Sequence, residues 1–438
     1  MVDELERDGG LSAPEVRTSR LRNTKQAMAG QSDVGMNSKL SLHGTRGPRS
    51  SRRGYLFLPL WAFVSLSFSC ADVFSAQAAV AASERQERSL SYRRDVVSDV
   101  PWSIHILQVD RSNSDLEFHT VLAKGATIGL TELDEQIRYL PPELGKPVAA
   151  INGDFYRNDN TAYKGDPKGL QIMQGELVSA PCDWSCFWID AEGKPQMTNI
   201  TTRFEVIWPN GAATPIGLNE ERKSSLAVLY TARLGKATGT TGGRELVLEP
   251  GGSSAGLPLR AGETYFARVR EVRENGNMLL SADRLVLSLP KEMLNKVPQV
   301  QPGAVLKISL ATSPSLKGVK TAIGGGPALI HGGKAKEWGL LQLRANIRHP
   351  RTAIGWNDKY FYLVEVDGRQ PGLSVGMTLS ELAEYMLKKL GCTEALNLDG
   401  GRSAAMWVYG QIANSPAPGF ERGMANALVI VQKPENGK

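Results

Sequence analysis

Histidine and cysteine are both scarce, with five and four residues in a chain of 438. After Cys182 and Cys186 no further Cys or His follows at zinc-site spacing, and no clustered Asp/His run follows the pattern by which metal phosphodiesterases gather ligands. No metal or other cofactor is therefore expected. A Lys/Arg stripe interleaved with aromatics is also missing. The net charge of +6 shrinks on inspection, because Met1–Ala78 carries ten Lys/Arg against seven Asp/Glu. The remaining +3 or so is too little for a nucleic-acid footprint, which excludes nucleic acid as a main partner. No apolar run reaches the roughly 20 residues of a spanning helix. No Gly-rich loop ends in the Lys-Ser/Thr of a phosphate-binding P-loop. No internal repeat with a period of about 20–50 residues is visible.

What the N-terminus does hold is a targeting pattern. Arg52 and Arg53 precede an apolar core from Tyr55 to Ser69, and Ala76-Gln77-Ala78 fits the small-x-small pattern of a signal-peptidase site. Residues 1–78 read as an extension with an export signal, and 79–95 as a linker. The mature chain is then expected to be exported (periplasmic, extracellular or at the cell surface), with no stable membrane insertion. In that oxidising setting Cys182 and Cys186 of "CDWSC" are expected to form a disulfide, with free thiols as second choice and zinc third. Cys392 reads as plain core.

From "WSIHILQVD" onward, short runs rich in β-formers alternate with Gly- and Pro-containing turns. "KGLQIMQGELVSA" and "CFWIDAEGKPQM" read as hairpins, and "TELDEQIRYL" as a helix. Residues from about 200 to 315 are densely spaced strands, expected to form a mostly antiparallel β insert or subdomain. "TLSELAEYMLKKLG" is strongly helical, with Thr378 or Ser380 as cap, an apolar stripe, and Gly391 at its end. The expected class is α+β, with β-rich mixed sheets and few helices. Oligomeric state is not legible.

Four stretches share one design, an apolar strand running into a Gly-flanked polar loop. They are "AAINGDFY" (Asn152, Asp154, Tyr156), "AIGGGPAL" (Gly324, Gly325, Gly326), "RHPRTAIG" (His349, Arg351, Thr352) and "LNLDGGRS" (Asn397, Asp399, Gly400, Gly401, Ser403). Such loops let a ligand approach the backbone closely. Each alone is also an ordinary turn: Asp399 before Gly-Gly is a good turn former, and Asp154 suits an Asx-turn. Arg351 alone reads as readily as a surface ion pair, and His349 as structural. "VDGRQ" (Asp367, Arg369, Gln370) reads equally well as a turn.

Taken in order, "NGDFY", "GGGPALI", "HPRTAIG", "VDGRQPGLSVGMTLSELAEYM" and "ALNLDGG" resemble the phosphodiester glycosidase family, with the similarity running from about residue 100 to 433. The family includes secreted bacterial proteins linked to exopolysaccharide. The resemblance implies a phosphodiester-glycosidase-like domain over 96–433 that includes the β-rich middle. It also implies cleavage of a sugar-1-phosphodiester glycan at the C1–O bond. Phosphate leaves well without a general acid, so the chemistry needs a carboxylate at C1 and a cation on the phosphate. Carried onto this chain, Asp399 is the first choice for the carboxylate and Asp154 the second. Arg351 holds the phosphate, helped by Thr352 and by N–H groups near Gly400 and Gly401. Asn152, Tyr156, Gly325, Gly326, Asp367, Arg369, Asn397 and Ser403 complete the substrate-binding set. One departure stands out: Arg402 occupies a position where relatives have glycine. The alternative is a non-catalytic surface-glycan binding protein on the same scaffold, using Trp338, Trp356 or Trp407 as sugar platforms.

Overall fold

A computed structural model describes residues 90–251, 256–339, 345–417 and 419–434; the expected export signal and Cys70 lie outside them. Two sheets carry the architecture. One has seven strands in the order Leu90–Val97, Trp102–Asp110, Tyr360–Val366, Arg351–Trp356, Glu394–Asn397, Ala328–His331, Lys334–Ala335, all neighbours antiparallel. The other has five, also antiparallel: Gln411–Ile412, Met406–Val408, Lys146–Asn152, Asn426–Gln432, Leu116–Leu122.

Period-2 alternation decides what each face meets. Leu107 and Val109 join Ile151, Leu428 and Ile430 in a core shared by the two sheets. The intervening Ile104 and Ile106 face outward onto helix α2 (Leu379–Lys388). On the other sheet Ala150, Val429 and Val431 face helix α1 (Leu133–Arg138). "PVAAIN" reads as the near-continuous apolar run of a strand buried on both faces. "WSIHILQVD", whose alternation of apolar and polar residues suggests a half-buried strand, is also buried on both faces, because its polar members Ser103 and His105 are hydrogen-bonded inside. These are the two α-helices among the described residues, so the β-rich α+β class holds. In α2 the Thr378 hydroxyl accepts from the Glu381 N–H, while Glu381 accepts from the Thr378 N–H, a reciprocal cap worth about 1 kcal/mol. Leu379, Leu382 and Met386 bury its apolar stripe, each contributing roughly 1.5–3 kcal/mol.

A third sheet of five strands contains both expected hairpins. Gln174 and Gly175 both have positive φ (52° and 82°), as the tight turn of a two-residue hairpin requires. Thr201–Ile207 through Val305–Ser313 close into a seven-stranded barrel around its own core. Its pairs are antiparallel except Ile216–Leu218 beside Ala227–Leu229.

Two expectations need correcting. Leu90–Val97, placed partly in the linker, is a full edge strand. Most of its side chains face solvent, so it shows no apolar alternation. Cys182 and Cys186 are both free thiols. Cys186 sits inside the strand Ser185–Ile189 and packs into the barrel-side core, whereas Cys182 precedes that strand and lies on the side of Gly169.

Candidate active site

The four Gly-flanked loops meet, and Asn152 is their junction. Its Nδ2 donates to the Asp399 carbonyl at 2.6 Å, and its Oδ1 accepts from Thr352 Oγ1 at 2.7 Å and from the Ala405 N–H at 3.1 Å. The Asp399 N–H donates to the Gly153 carbonyl at 3.0 Å, and Leu398 N–H to Thr352 O at 2.8 Å. Asn397 exchanges hydrogen bonds with Gly326, its carbonyl accepting from Gly326 N–H at 2.7 Å and its Nδ2 donating to Gly326 O at 2.8 Å. Asn397 Oδ1 is buried with no partner.

Two carboxylates come together here. Asp154 is 3% exposed; its Oδ1 accepts from the Phe155 N–H (2.7 Å) and its Oδ2 from the Gly169 N–H (2.6 Å). Burial outweighs those donors and pushes its carboxyl up to about 7, with the negative charge of Asp399 adding to the rise. Asp399 keeps part of its surface open to solvent. Its surroundings push it up to about 6, again through burial, moderated by the Ser403 hydroxyl, the Gly400 N–H and the charges of Arg422 and Lys168. The pair therefore takes up its protons in the neutral range, with the deeper acid the more strongly protonated. Tyr156 is buried, donates its hydroxyl to Gly423 O at 3.0 Å, and lies against Ser403.

The expected cation is placed differently. Arg351 is 9% exposed, and its guanidinium donates from Nε to Met377 O and from Nη2 to Ile347 O, both at 2.8 Å. Burial and the nearby charge of Arg369 draw it down to about 10. The helpers assigned to phosphate are engaged as well. Thr352 Oγ1 is bound to Asn152, Gly400 N–H to Asp399 Oδ1 (3.0 Å), and Gly401 N–H to Pro350 O (2.8 Å). Asp367 is 1% exposed, its oxygens taken up by Ser103, His105 and Ser415. Arg369, by contrast, lines an open cavity of about 440 Å³ with Gln370, Arg402, Ala417 and Gly419. Its Nη2 is 3.2 Å from His349 Nδ1 and would lie 3.2 Å from a Cβ on Gly401.

Several neighbours carried no legible signal. Gly169, Asn426, Lys168 and Arg422 touch or face the acids from segments without a motif. Asn426 Oδ1 accepts from the Asp154 N–H at 2.8 Å. Gly325 is packed against Asn397 O, and Gly326 has φ 125° beside the Trp184 side chain. Trp184 meets Phe155 edge-on at 5.3 Å and stays half-buried. Of the tryptophans expected as platforms, Trp356 and Trp407 are buried in cores, and Trp338 packs under Lys336.

Two sheets face to face, with an acid pair at their converging strand ends, define a β-rich protein with a recessed carboxylate site. The phosphodiester glycosidase family model matches residues 259–431 of this chain. The match takes in Arg351, Asp367 and Asp399 but not Asn152 or Asp154, a shorter span than the resemblance covers. The bovine N-acetylglucosamine-1-phosphodiester alpha-N-acetylglucosaminidase is 34% identical over 108 residues, 23% of this chain and 20% of that protein. The chain thus aligns with only about a fifth of that relative's length. A hypothetical protein from Synechocystis shares the fold at TM-score 0.61 and 19% identity, over 78% of this chain and 61% of that one. A Burkholderia pseudomallei K96243 protein described as exported does so at 0.57 and 22%, over 82% and 80%.

Proposed function

We propose that this protein hydrolyses a sugar-1-phosphodiester of a surface or extracellular glycan at the C1–O bond. The observation that carries the reading is the acid pair, one member deeply buried and pushed up to about 7, the other half-buried and pushed up to about 6. In this reading the ionised Asp399 faces C1 and water supplies the new C1–O bond. The bonding pair of the old C1–O bond leaves on the phosphate oxygen, giving free sugar and a phosphomonoester. The proton of water ends on the carboxylate. Asp154, sharing the charge of the site, keeps a single negative charge on Asp399.

Arg369 takes the phosphate role first given to Arg351, with Arg402 beside it toward the substrate's far end, because both line the open cavity while the Arg351 fork is turned onto backbone carbonyls. Gly326 and the Phe155–Trp184 pair give a surface for one sugar face. Export fits the N-terminal pattern and the exported structural neighbour. No helix among the described residues is long and apolar enough to cross a membrane.

The test is hydrolysis of glycosyl-1-phosphodiesters by the full chain in ¹⁸O-water. Label in the sugar supports C1–O cleavage, whereas label in phosphate indicates attack at phosphorus and overturns the reading. Binding without turnover across a panel of sugars would favour a glycan-binding protein. Asp399→Asn should abolish turnover with the fold intact; a near-full rate would make Asp154 the reacting carboxylate.

A further inference from the structure

A second buried cluster lies beneath the turn that carries Arg369. One ring nitrogen of His105 and one carboxylate oxygen each from Glu365 and Asp367 all lie within 4.8 Å of one another, and the three residues are 2%, 0% and 1% exposed. The fold forces this meeting: His105 and Glu365 are direct cross-strand partners, and Asp367 follows two positions on, where side chains return to the same face.

Most of the cluster is hydrogen-bonded. Asp367 Oδ2 accepts from Ser103 Oγ at 2.7 Å and meets His105 Nε2 at 2.9 Å, while Oδ1 accepts from Ser415 N–H at 2.7 Å. His105 Nδ1 meets the Tyr92 hydroxyl at 2.8 Å. Arg94 reaches the rim, donating from Nε to Ser103 Oγ at 2.8 Å. Glu365 is the exception. It is fully buried, the Asn414 amide is the polar side chain that reaches toward it, and neither of its oxygens makes a hydrogen bond of ordinary distance and angle. A carboxylate so placed beside a second carboxylate is costly unless something positive or a proton meets it.

We propose that His105, Glu365 and Asp367 bind a divalent first-row transition cation, Zn²⁺ or Mn²⁺. One imidazole with two carboxylates is a mixed nitrogen and oxygen set that suits those ions better than Ca²⁺. Tyr92 on Nδ1 supplies the outer contact that fixes a ligating histidine's tautomer. The hydrogen bonds of the cluster run to Tyr92, Ser103 and Ser415 and not to Asp154 or Asp399, so the role assigned to the cation is to hold shape. Ser415 links Asp367 to Gln370, accepting from Gln370 Nε2 through its carbonyl (2.7 Å) and donating from Oγ to Gln370 Oε1 (2.8 Å). The cation would thereby pin the turn that presents Arg369 to the cavity.

The experiment uses the full chain, desalted and analysed for metal by mass spectrometry, then stripped with chelator and titrated with Zn²⁺, Mn²⁺ and Ca²⁺. We expect about one equivalent of Zn²⁺ or Mn²⁺ per chain, a fall in Tm on stripping, and recovery on adding one equivalent. Glu365→Gln and His105→Ala should each weaken binding at least about tenfold, while Asp399→Asn keeps the metal. If those variants do not fold, X-ray absorption at the zinc edge of the wild-type chain decides: an imidazole and oxygen shell without sulfur supports the site. A sulfur ligand, metal retained in both variants, preference for Ca²⁺, or no uptake with an unchanged Tm would each overturn it, the last meaning that a proton on Glu365 suffices.

Discussion

Asn152 donates a 2.6 Å hydrogen bond to the carbonyl of Asp399, across 247 positions of sequence. The same side chain accepts from Thr352 and Ala405, so one amide fastens three strand ends around the acid pair. Asn152→Ala leaves a buried hydroxyl, an N–H and a carbonyl without their partner. Each such loss costs about 1–3 kcal/mol, and partial relaxation brings the expected total to roughly 3–5 kcal/mol. Urea unfolding should show a lower midpoint at unchanged slope. Because Asp399 is released, turnover should fall further than the unfolded fraction explains, and an unchanged midpoint would remove Asn152 from this role.

The raised acids make a signed prediction about pH. Asp154 titrates near the ordinary carboxyl value of 3.8 when unfolded and is pushed up to about 7 when folded, so the folded state holds the extra proton between about pH 4 and 7. Stability contributed by that proton is full below the unfolded value, declines as pH rises through the window, and is gone above about 7. Wild-type Tm should therefore drop between about pH 4 and 7, and Asp154→Asn should flatten part of that slope by an amount on the order of a few kcal/mol. Glu421, also pushed up to about 7 by burial, keeps a residual slope in the variant, so the comparison between the two proteins is the measurement. Equal slopes would mean that Asp154 is ionised in the folded chain throughout. On the proposed activity, the rate should rise with an acidic limb near 6 as Asp399 loses its proton.

Much of this was legible because it is local. Period-2 apolar runs give strands, Thr378 and Glu381 give a helix start, and the four Gly-flanked loops are contiguous motifs whose members Asn152, Asp399, Asn397 and Gly326 do touch. What stayed hidden depends on where separate strands meet. Arg351 looks like an anion holder in "HPRTAIG", but the carbonyls that claim it belong to Ile347 and Met377. Asp367 looks like a substrate ligand until Ser103, His105 and Ser415 arrive from other segments. Histidine spacing was silent about His105 because its carboxylate neighbours are about 260 residues away, and only the strand register brings them opposite. Edge strand Leu90–Val97 escaped for a simpler reason, since a strand with mostly solvated side chains has no apolar period to see.

Gly324 has a steric role rather than a conformational one. A Cβ there would sit 2.4 Å from Asp154 Oδ2 and 2.8 Å from Gly169 Cα. Neither neighbour yields easily, because Asp154 is held by the Phe155 and Gly169 N–H groups. Gly324→Ala should lose about 1–3 kcal/mol or more through overpacking and displace the carboxylate that shares charge with Asp399. Gly256→Ala, where nothing lies within 4 Å of the added carbon, should change stability by less than about 0.5 kcal/mol. Thermal melts of the two variants side by side test the contrast. A neutral Gly324→Ala would show that the acid pair is looser than its contacts indicate.

Arg402 is the position at which substrate preference should be adjustable. It is exposed and lines the same cavity as Arg369, so removing it disturbs no core. Arg402→Gly should leave Tm within a degree or two of wild type. A charge-assisted contact to a bound anion is worth about 1.5–3 kcal/mol, reduced where solvent screens it. KM for a glycosyl phosphodiester whose far side carries a further anion should then rise by about tenfold, with kcat nearly constant, since the contact acts on bound substrate and transition state alike. A substrate with a small neutral group beyond the phosphate should respond less, and the difference should shrink as salt is added. Arg369→Ala should raise KM for both substrates, because in this reading its guanidinium meets the phosphate itself. If Arg402→Gly leaves the ratio of the two KM values untouched, the Arg369–Arg402 cavity does not receive the substrate's far end, and the anion must approach Asp399 from the side of Lys168 and Arg422.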